Sequence, residues 1–362
     1  MGVSAGLFRL HRKVLSPDAG GLPLAVVRAL LRVGAAGYGL AAAGRNALYR
    51  RGLRTARRVG VPIISVGNIT AGGTGKTPLV AWLARLLAIH NRRPAILSRG
   101  YGRHPGLHVD DENALLGRLA RDIPIVVDAD RVRGAQTAIR DHGADVLILD
   151  DGFQHRRIAR DLDLVLIDAV LPFGGGHLLP RGLLREPLSG LARADALLLT
   201  RVDLVDGERL EAIREELAAL APHAVVACCR NQVRSLRPLG DDAATPSAPE
   251  DLRHGRWGAF CGIGNPEAFE LRLRKAGCQL AFLRIYSDHE RYSARDLADV
   301  LSRARDARCD AIVTTEKDAT KIERLLEGRP DPPIYALGVE TEFTEGSGEL
   351  TAAMLEAVGC PA

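Results

Sequence analysis

The residues best suited to chemistry form a glycine-rich run that ends in Lys-Thr, with the sequence GNITAGGTGKTP at residues 67–78. The unpaired amides of such a loop point at phosphate oxygens, a lysine ammonium neutralises charge, and a threonine hydroxyl ligates magnesium. Only five lysines occur beside 44 arginines, so the lysine at position 76 indicates a role for a compact ammonium. The run predicts a site for ATP phosphates, formed by Thr70, Ala71, Gly72, Gly73, Thr74, Gly75, Lys76 and Thr77.

Two carboxylates follow a second apolar run, in the sequence VLILDDGFQHRR at residues 146–157. Ligands of parallel sheets lie at the carboxyl ends of the strands, where Asp150 or Asp151 is placed to hold magnesium directly or through water. A single aspartate at such a place is more commonly a helix cap or a turn residue. The two acids together with Gln154, His155 and two arginines favour a functional interpretation.

Other polar loops carry candidate residues that spacing alone does not separate. The run HVDDENALL at 108–116 contains Asp110, Asp111 and Glu112. A positioned carboxylate of this kind accepts the proton of the acceptor hydroxyl in kinases. His289, in the sequence YSDHERYS, matches an ordinary surface histidine better than a catalytic one on spacing alone.

The elements around these residues predict an α/β doubly wound fold. A β-branched strand at 61–66 precedes the glycine-rich run. The helical spacing of LVAWLARLLAIH after Pro78 places Lys76 and Thr77 at a helix N-terminus. Further apolar strands alternate with helical patterns. They are predicted at 146–149, 164–167, 196–200, 257–261, 311–315 and 334–337.

The order of these segments predicts a P-loop NTPase-like parallel sheet and a second, smaller α/β domain, preceded by an N-terminal amphipathic helix. At 362 residues and 46% hydrophobic content, the chain is long enough to bury both cores. We expect an N-terminal arm at 1–58, a P-loop kinase domain at 59–237 and the smaller domain at 257–362. The stretch 238–256 begins with proline, acidic and small residues and is predicted to be a linker.

The N-terminal arm is basic and amphipathic. Residues 1–60 contain eleven Arg or Lys and one acid, a net charge of +10 in a chain of +5, so the remainder sums to −5. Arg28 and Arg32 interrupt the apolar run at 21–43, which disfavours a spanning helix, and the run lacks the pattern of a signal peptide. The arm favours a helix lying in the membrane interface. A helix packed on the enzyme body is the alternative, and the lack of aromatic interleaving disfavours nucleic acid.

The six cysteines indicate a reducing compartment. None forms a CxxC pair, and no histidine spacing suggests a zinc site. The adjacent Cys228 and Cys229 are most simply small apolar residues at the end of a strand.

Taken in order, the motifs resemble those of the tetraacyldisaccharide 4'-kinase, or lipid A 4'-kinase, family of Gram-negative bacteria. After the basic arm the chain carries SVGNITAGGTGKTPLV, SRGYG, DDGFQHRR, LLPRGLLREPL, LLLTRVD, GIGNPEAF, SDHE and VTTEKDA. These motifs cover nearly all of residues 40–320. The usual P-loop pattern has glycine where this chain has Thr70, and the threonine is the form that this family uses.

The resemblance implies transfer of the ATP γ-phosphate to the 4'-hydroxyl of an acylated, 1-phosphorylated glucosamine disaccharide. It implies a peripheral enzyme at the cytoplasmic face of the bacterial inner membrane, with a glycolipid substrate and no nucleic-acid partner. A lipid acceptor stays in the bilayer, which explains an arm that binds the membrane surface.

The resemblance also implies a general base. Asp111 matches the proposed base of the family, and His289 matches the residue that supports it. This chain has Asp110 where the family usually has glycine, and Glu290 where it usually has a second histidine. The extra carboxylate leaves open whether Asp110 or Asp111 is the base.

For the nucleotide, the resemblance implies a magnesium site and further phosphate contacts. Magnesium would be held by Thr77 and Glu186 with Asp150 or Asp151. Gln154 and His155 would lie near the ATP phosphates.

Three other functions fit parts of the sequence. A membrane-peripheral P-loop ATPase or GTPase switch fits TRVD at 200–203, a weak base-recognition motif in which Arg201 replaces the usual lysine. A partition-type ATPase fits GGTGKT, but such proteins have lysine where this chain has Ala71. A nonenzymatic nucleotide-binding scaffold would bind ATP without turnover.

Overall fold

The computed structural model of the protein describes residues 14, 21–100, 111–241, 245–288 and 291–360. Within these ranges the chain forms two compact units. The larger, which we call the P-loop unit, contains the described residues up to 230 together with 343–360, and the smaller unit contains those in 231–342.

The elements follow one another in the alternation that the sequence predicts. The strands are β1 (Ile63–Asn68), β2 (Pro94–Ser98), β3 (Ile125–Val127), β4 (Val146–Asp150), β5 (Leu162–Asp168), β6 (Ala196–Thr200), β7 (Val225–Pro238), β8 (Arg256–Cys261), β9 (Gln279–Ile285), β10 (Ala311–Thr315) and β11 (Ile334–Glu345). The helices are α1 (Leu22–Arg50), α2 (Lys76–Ile89), α3 (Asp111–Leu119), α4 (Arg131–His142), α5 (Gly207–Leu220), α6 (Pro266–Lys275), α7 (Ala294–Asp306), α8 (Glu316–Ile322) and α9 (Ser347–Ala357).

The sheet of the P-loop unit is parallel and doubly wound. Its strand order is β3-β2-β4-β1-β5-β6-β7, so β1 lies between β4 and β5. Val66 of β1 is in register with Asp150 of β4, which brings the acidic end of β4 beside the start of the phosphate loop. This arrangement confirms the α/β fold class.

Helices cover both faces of this sheet because the central strands are apolar on both sides. Ile63 and Ile64, successive residues of β1, point to opposite faces and belong to different cores. One core contains Leu83 of α2 and Met354 of α9, and the other contains Val132 of α4. The C-terminal helix α9 is therefore part of the P-loop unit.

The smaller unit is also α/β. Its strands β11, β10, β8 and β9 are adjacent in that order and pair in parallel. Phe260 of β8 and Ile312 of β10 are buried in one of its two cores, and Trp257 and Val313 of the same strands are buried in the other. The predicted second α/β domain is therefore present, with helices on two faces of a parallel sheet.

The two units divide the chain at other positions than the sequence suggests. The boundaries fall at 230/231 and 342/343, inside β7 and inside β11, rather than around a linker at 238–256. Leu252 in the middle of that stretch is fully buried, so the segment contributes to the core of the smaller unit. The last residues leave the smaller unit because α9 packs its apolar side on α2.

Helix α1 carries the predicted amphipathic pattern. Its exposed apolar residues Val26, Leu30, Val33 and Leu40 recur at helical spacing along one face. The opposite face is in contact with the rest of the P-loop unit. Among the described residues, Pro23–Arg50 is the one helix whose length and mean hydropathy of 1.4 would suffice to cross a membrane.

Candidate active site

The phosphate loop between β1 and α2 is held open by its own side chains. Asn68, the last residue of β1, donates to the Gly72 carbonyl at 3.4 Å and to Thr74 Oγ1 at 3.3 Å. Lys76 Nζ donates to Asn68 Oδ1 at 3.2 Å. Gly72 and Gly75 have φ values of 114° and 92°, which only glycine adopts without strain. The loop is therefore a preformed cradle with the amine of Lys76 over it.

Thr70 does not need to be glycine because it lies in an extended segment. It forms an antiparallel bridge with Leu184, and the flanking amides are paired across the same bridge. The Ala71 amide donates to the Leu183 carbonyl at 2.7 Å, and the Arg185 amide donates to the Ile69 carbonyl at 2.8 Å. This pairing attaches the loop to the segment that carries Arg185.

The predicted helix start is confirmed, since α2 begins at Lys76 directly after Gly75. Its first turn contains Lys76, Thr77 and Pro78, and proline is tolerated there because the first amides of a helix have no partner within it. The free amides and the positive end of the helix dipole face the loop, which favours an anion at this position.

Asp151 forms the main ion-pair centre of the site. Its carboxylate lies 3.3 Å from Lys76 Nζ and 2.7 Å from Arg185 Nη1, and its side chain is 11% exposed. Burial alone would raise the pKa of Asp151, but attraction to Lys76 and Arg185 outweighs it and lowers the pKa to about 2. The carboxylate is therefore ionised at every physiological pH.

The residues present fit a magnesium ion bound with ATP. Asp150 ends β4 and is 7% exposed, Asp151 follows it in a left-handed conformation, and Thr77 is the second residue of α2. Mg²⁺ bound with nucleotide phosphates needs only one or two carboxylates from the protein, with a hydroxyl and water completing the shell. Within the described residues no group of three or more His, Cys, Asp and Glu could hold a metal by itself.

Glu186 is placed differently from the other predicted magnesium ligands. It is fully buried, and both of its oxygens have protein partners. Oε1 accepts from Gln154 Nε2 at 3.1 Å, and Oε2 accepts from Asn46 Nδ2 of α1 at 3.0 Å. Arg193 forms an ion pair with the same carboxylate at 3.0 Å. These contacts give Glu186 a positioning role towards Asn46, Gln154 and Arg193, and its role as a magnesium ligand stays a prediction.

Gln154 connects this buried carboxylate to the phosphate loop. Its amide donates to Glu186 and also to the carbonyl of Asn68 at 2.9 Å. A chain of hydrogen bonds thus runs from Asn46 on α1, through Glu186, Gln154 and Asn68, to Lys76. Gln154 thus lies at the base of the loop, and its contact with ATP stays a prediction.

His155 is half-buried among cations. Burial lowers its pKa, and the charges of Arg131, Arg160, Arg99 and Arg157 lower it further, to about 4. The imidazole is therefore neutral at pH 7 and offers a donor without a charge.

The low pKa of His155 predicts a pH dependence of stability. The unfolded chain binds a proton at His155 below about pH 6.5 and the folded chain does so only near 4, so stability is lost as the pH falls between these values. Asp151, with a pKa of about 2, stays charged in both states over most of that interval. We expect the melting temperature of His155→Gln to fall less than that of the wild type between pH 7 and 5, as measured by thermal unfolding. An equal fall in both proteins would contradict a neutral His155.

The predicted base and its supporting histidine are only partly described. Asp111 is the first residue of α3, while Asp110 and His289 lie outside the described residues. The neighbour Asp288 forms an ion pair with Lys317 at 3.2 Å, so the SDHE and TTEKDA motifs meet in the smaller unit. The buried Asp318 of the second motif accepts from the amide of Gly262, in the GIGNPEAF motif, at 2.9 Å.

Sequence reasoning missed Asn68 and Arg185 as parts of the site. The signal for Asn68 is a polar residue at the buried carboxyl end of a strand, directly before the phosphate loop. No signal in the sequence identifies Arg185, because nothing in its spacing shows that the 183–185 segment pairs with Thr70.

Known proteins that this chain resembles in sequence and in structure belong to one family. A family model for tetraacyldisaccharide-1-P 4'-kinase matches residues 27–359. A tetraacyldisaccharide 4'-kinase of Anaeromyxobacter dehalogenans is 40% identical over 346 residues, which cover 91% of this chain and 90% of the relative. One of Chlorobium luteolum is 39% identical over 350 residues, with 91% and 97% covered. A crystal structure of LpxK from Aquifex aeolicus in complex with ATP has a TM-score of 0.66 and 28% identity, covering 92% of this chain and 99% of that one.

Proposed function

The chain belongs to the tetraacyldisaccharide-1-P 4'-kinase family, and we propose that it phosphorylates its glycolipid acceptor at the cytoplasmic face of the bacterial inner membrane. It is an ATP-dependent kinase of lipid A biosynthesis. The main support for placing ATP at the phosphate loop is the ion-paired cluster of Lys76, Asp151 and Arg185.

The chain's own groups supply alignment and charge. The amides of the phosphate loop and Lys76 hold the β- and γ-phosphates, and a bound magnesium, held by Thr77 with Asp150 or Asp151, would neutralise phosphate charge. Arg185 and Asn68 fix the positions of Asp151 and Lys76 before ATP arrives. Such preorganisation lowers the barrier because no reorientation is needed as charge develops. Asp111, or its neighbour Asp110, would accept the proton of the 4'-hydroxyl, with His289 supporting it.

An open cavity beside α1 supports a lipid acceptor. It has a volume of about 480 Å³ and is lined on one side by the helix and on the other by the 176–188 segment. Ala35, Leu178 and Leu184 provide apolar walls, and Arg32 and Arg181 provide positive charge. An acylated sugar that carries a phosphate needs this combination of an apolar wall and a nearby cation.

The packing of α1 supports a helix that lies on the membrane surface. Tyr38 donates to the carbonyl of Arg185 at 2.9 Å, Asn46 contacts Glu186, and the guanidinium of Arg156 stacks over Tyr49 at 4.9 Å. Contacts with the P-loop unit therefore extend over more than three turns of the helix, which would place the enzyme body inside the bilayer if α1 crossed it. Arg32 faces the cavity and not the exposed apolar face of α1. Its charge therefore does not prevent that face from being buried in lipid.

An assay with labelled ATP and purified tetraacyldisaccharide 1-phosphate tests the function. Label transferred to the lipid only when both are present is the expected result. Release of inorganic phosphate at the same rate without acceptor would instead favour a P-loop ATPase, and ATP binding without either product would favour a scaffold.

Membrane binding through the outer face of α1 gives a second test. Leu30, Val33 and Leu40 are 67%, 73% and 76% exposed. Replacing all three by aspartate is expected to weaken binding to vesicles of anionic phospholipid by at least about tenfold, since each buried side chain contributes about 1.5–3 kcal/mol. Cosedimentation measures this.

The matched control is Ile89→Asp, a 77% exposed apolar residue at the end of α2. It should leave vesicle binding unchanged. Equal binding by the wild type and the triple variant would show that α1 does not attach the enzyme to the membrane.

A further inference from the structure

Two consecutive residues at the end of β6, Thr200 and Arg201, contact the back of the phosphate loop. Thr200 Oγ1 donates to the carbonyl of Thr74 at 3.0 Å, and both residues are buried. Arg201 Nη2 donates to the carbonyl of Gly73 at 2.6 Å. Two successive peptide groups of the loop are thus each held by a side chain from the end of β6. In the sheet, β6 is separated from β1, which leads into the loop, by β5 alone.

Arg201 is held in place by a buried carboxylate. Its other nitrogen, Nη1, forms an ion pair with Asp168 at the end of β5, and the side chains of Arg201 and Asp168 are 8% and 6% exposed. The fork of the guanidinium therefore joins a fixed carboxylate to a loop carbonyl, a geometry that suits its divergent N–H groups. Arg201 has a φ of 60°, uncommon for a residue other than glycine, at the turn that leads out of β6.

These contacts determine where the loop amides point. In a trans peptide the carbonyl and the N–H point in opposite directions. Holding the carbonyls of Gly73 and Thr74 from behind therefore turns the amides of Thr74 and Gly75 to the other side of the loop. We infer that Thr200 and Arg201 are positioning residues that aim the amides of Thr74 and Gly75 at the ATP phosphates. The inference rests on the proposed binding of ATP by this loop.

The same contacts explain the TRVD motif at 200–203. As a base-recognition sequence the motif is weak, because Arg201 replaces the usual lysine. Its first two residues instead contact the phosphate loop, and this function uses the arginine as it stands.

Kinetics with varied ATP at saturating acceptor test the inference. For Arg201→Met we expect kcat/KM for ATP, per folded protein, to fall about a hundredfold, as misplaced groups at a reaction centre commonly cost. The loss should appear largely in KM for ATP, while KM for the lipid stays near its wild-type value. Arg201→Lys, which can still reach one of the two partners, should regain at least tenfold of the loss.

The control is Arg92→Met, which removes an ion-paired and partly buried arginine elsewhere in the same unit. Arg92 forms an ion pair with Asp145 at 3.3 Å, at the edge of the sheet opposite the phosphate loop. This variant should lower the melting temperature without changing KM for ATP. A merely structural role for Arg201 would give the same result as the control, and that outcome overturns the inference.

A second variant tests the inference if Arg201→Met does not fold. Thr200→Val keeps the shape of the side chain and removes one hydroxyl, so it is expected to fold and to raise KM for ATP several-fold. Wild-type ATP kinetics together with wild-type Mg-ATP affinity in Thr200→Val would then refute the positioning role. Equilibrium binding of Mg-ATP to the same variants separates this inference from the acceptor assignment, because it requires no lipid.

Discussion

Replacing Lys76 by methionine is expected to lower kcat/KM for ATP by about 100- to 1,000-fold, the loss typical when one preorganised group at developing charge is removed. Lys76 is the first residue of α2, and its ammonium lies between Asn68 Oδ1 and the Asp151 carboxylate. It is therefore held at the end of the phosphate loop before ATP binds. Initial rates with varied ATP and a fixed lipid concentration measure the effect.

Arginine should not rescue this position, although it is the usual cation of the chain. Lys76 fits between two oxygens at 3.2 and 3.3 Å as a single compact charge, and a planar guanidinium cannot occupy the same point. Lys76→Arg is thus expected to remain at least tenfold below the wild type. Lys275→Met, at the exposed end of α6, is the matched control and should keep wild-type kinetics. Activity close to normal in Lys76→Met would remove the phosphate loop from the mechanism.

Asp111→Asn is expected to reduce kcat by about 100- to 10,000-fold, the range for a general base in proton transfer. Asparagine has nearly the shape of aspartate but accepts no proton at neutral pH, so ATP affinity should change little. Single-turnover phosphorylation and equilibrium binding of ATP measure the two quantities separately.

The neighbouring acid provides the comparison for this variant. Asp110→Asn should keep most of the turnover if Asp111 is the base, and the reversed pattern would assign the base to Asp110. Equal losses of turnover and ATP affinity in Asp111→Asn, or no loss of either, would show that Asp111 does not act as a base.

The sequence predicts those strands that are apolar and lie in the middle of the sheet. β6 and β10 begin and end at the predicted residues, because both strands are buried and consist of apolar residues followed by threonine. β2 and β3 were not predicted, since PAILS and IVV are too short to show a period. β7 is predicted only as far as Cys228 and Cys229, because its second half, with Arg230 and Arg234, alternates with polar residues and resembles a loop.

The site was predictable where function resides in local motifs and unpredictable where it depends on pairing across the fold. Lys76, Thr77 and the two aspartates follow from strand, loop and helix order alone. The buried position of Glu186 depends on α1, more than a hundred residues earlier, and on Arg193, so sequence spacing could not distinguish a metal ligand from a positioning residue. The role of Arg201 is likewise invisible in the sequence, because the pattern contains no sign of the Gly73 carbonyl that it contacts.

The hydrogen bond from Asn46 to Glu186 bears on how a water-soluble version of this enzyme can be made. Cutting away the arm up to residue 58 would remove one of the hydrogen bonds that a buried carboxylate accepts, and a hydrogen bond to a charged group contributes about 1.5–3 kcal/mol. Truncation would therefore damage the catalytic scaffold along with the attachment to lipid. Solubility is better sought by redesigning the outer side chains of α1, with the helix itself left in place.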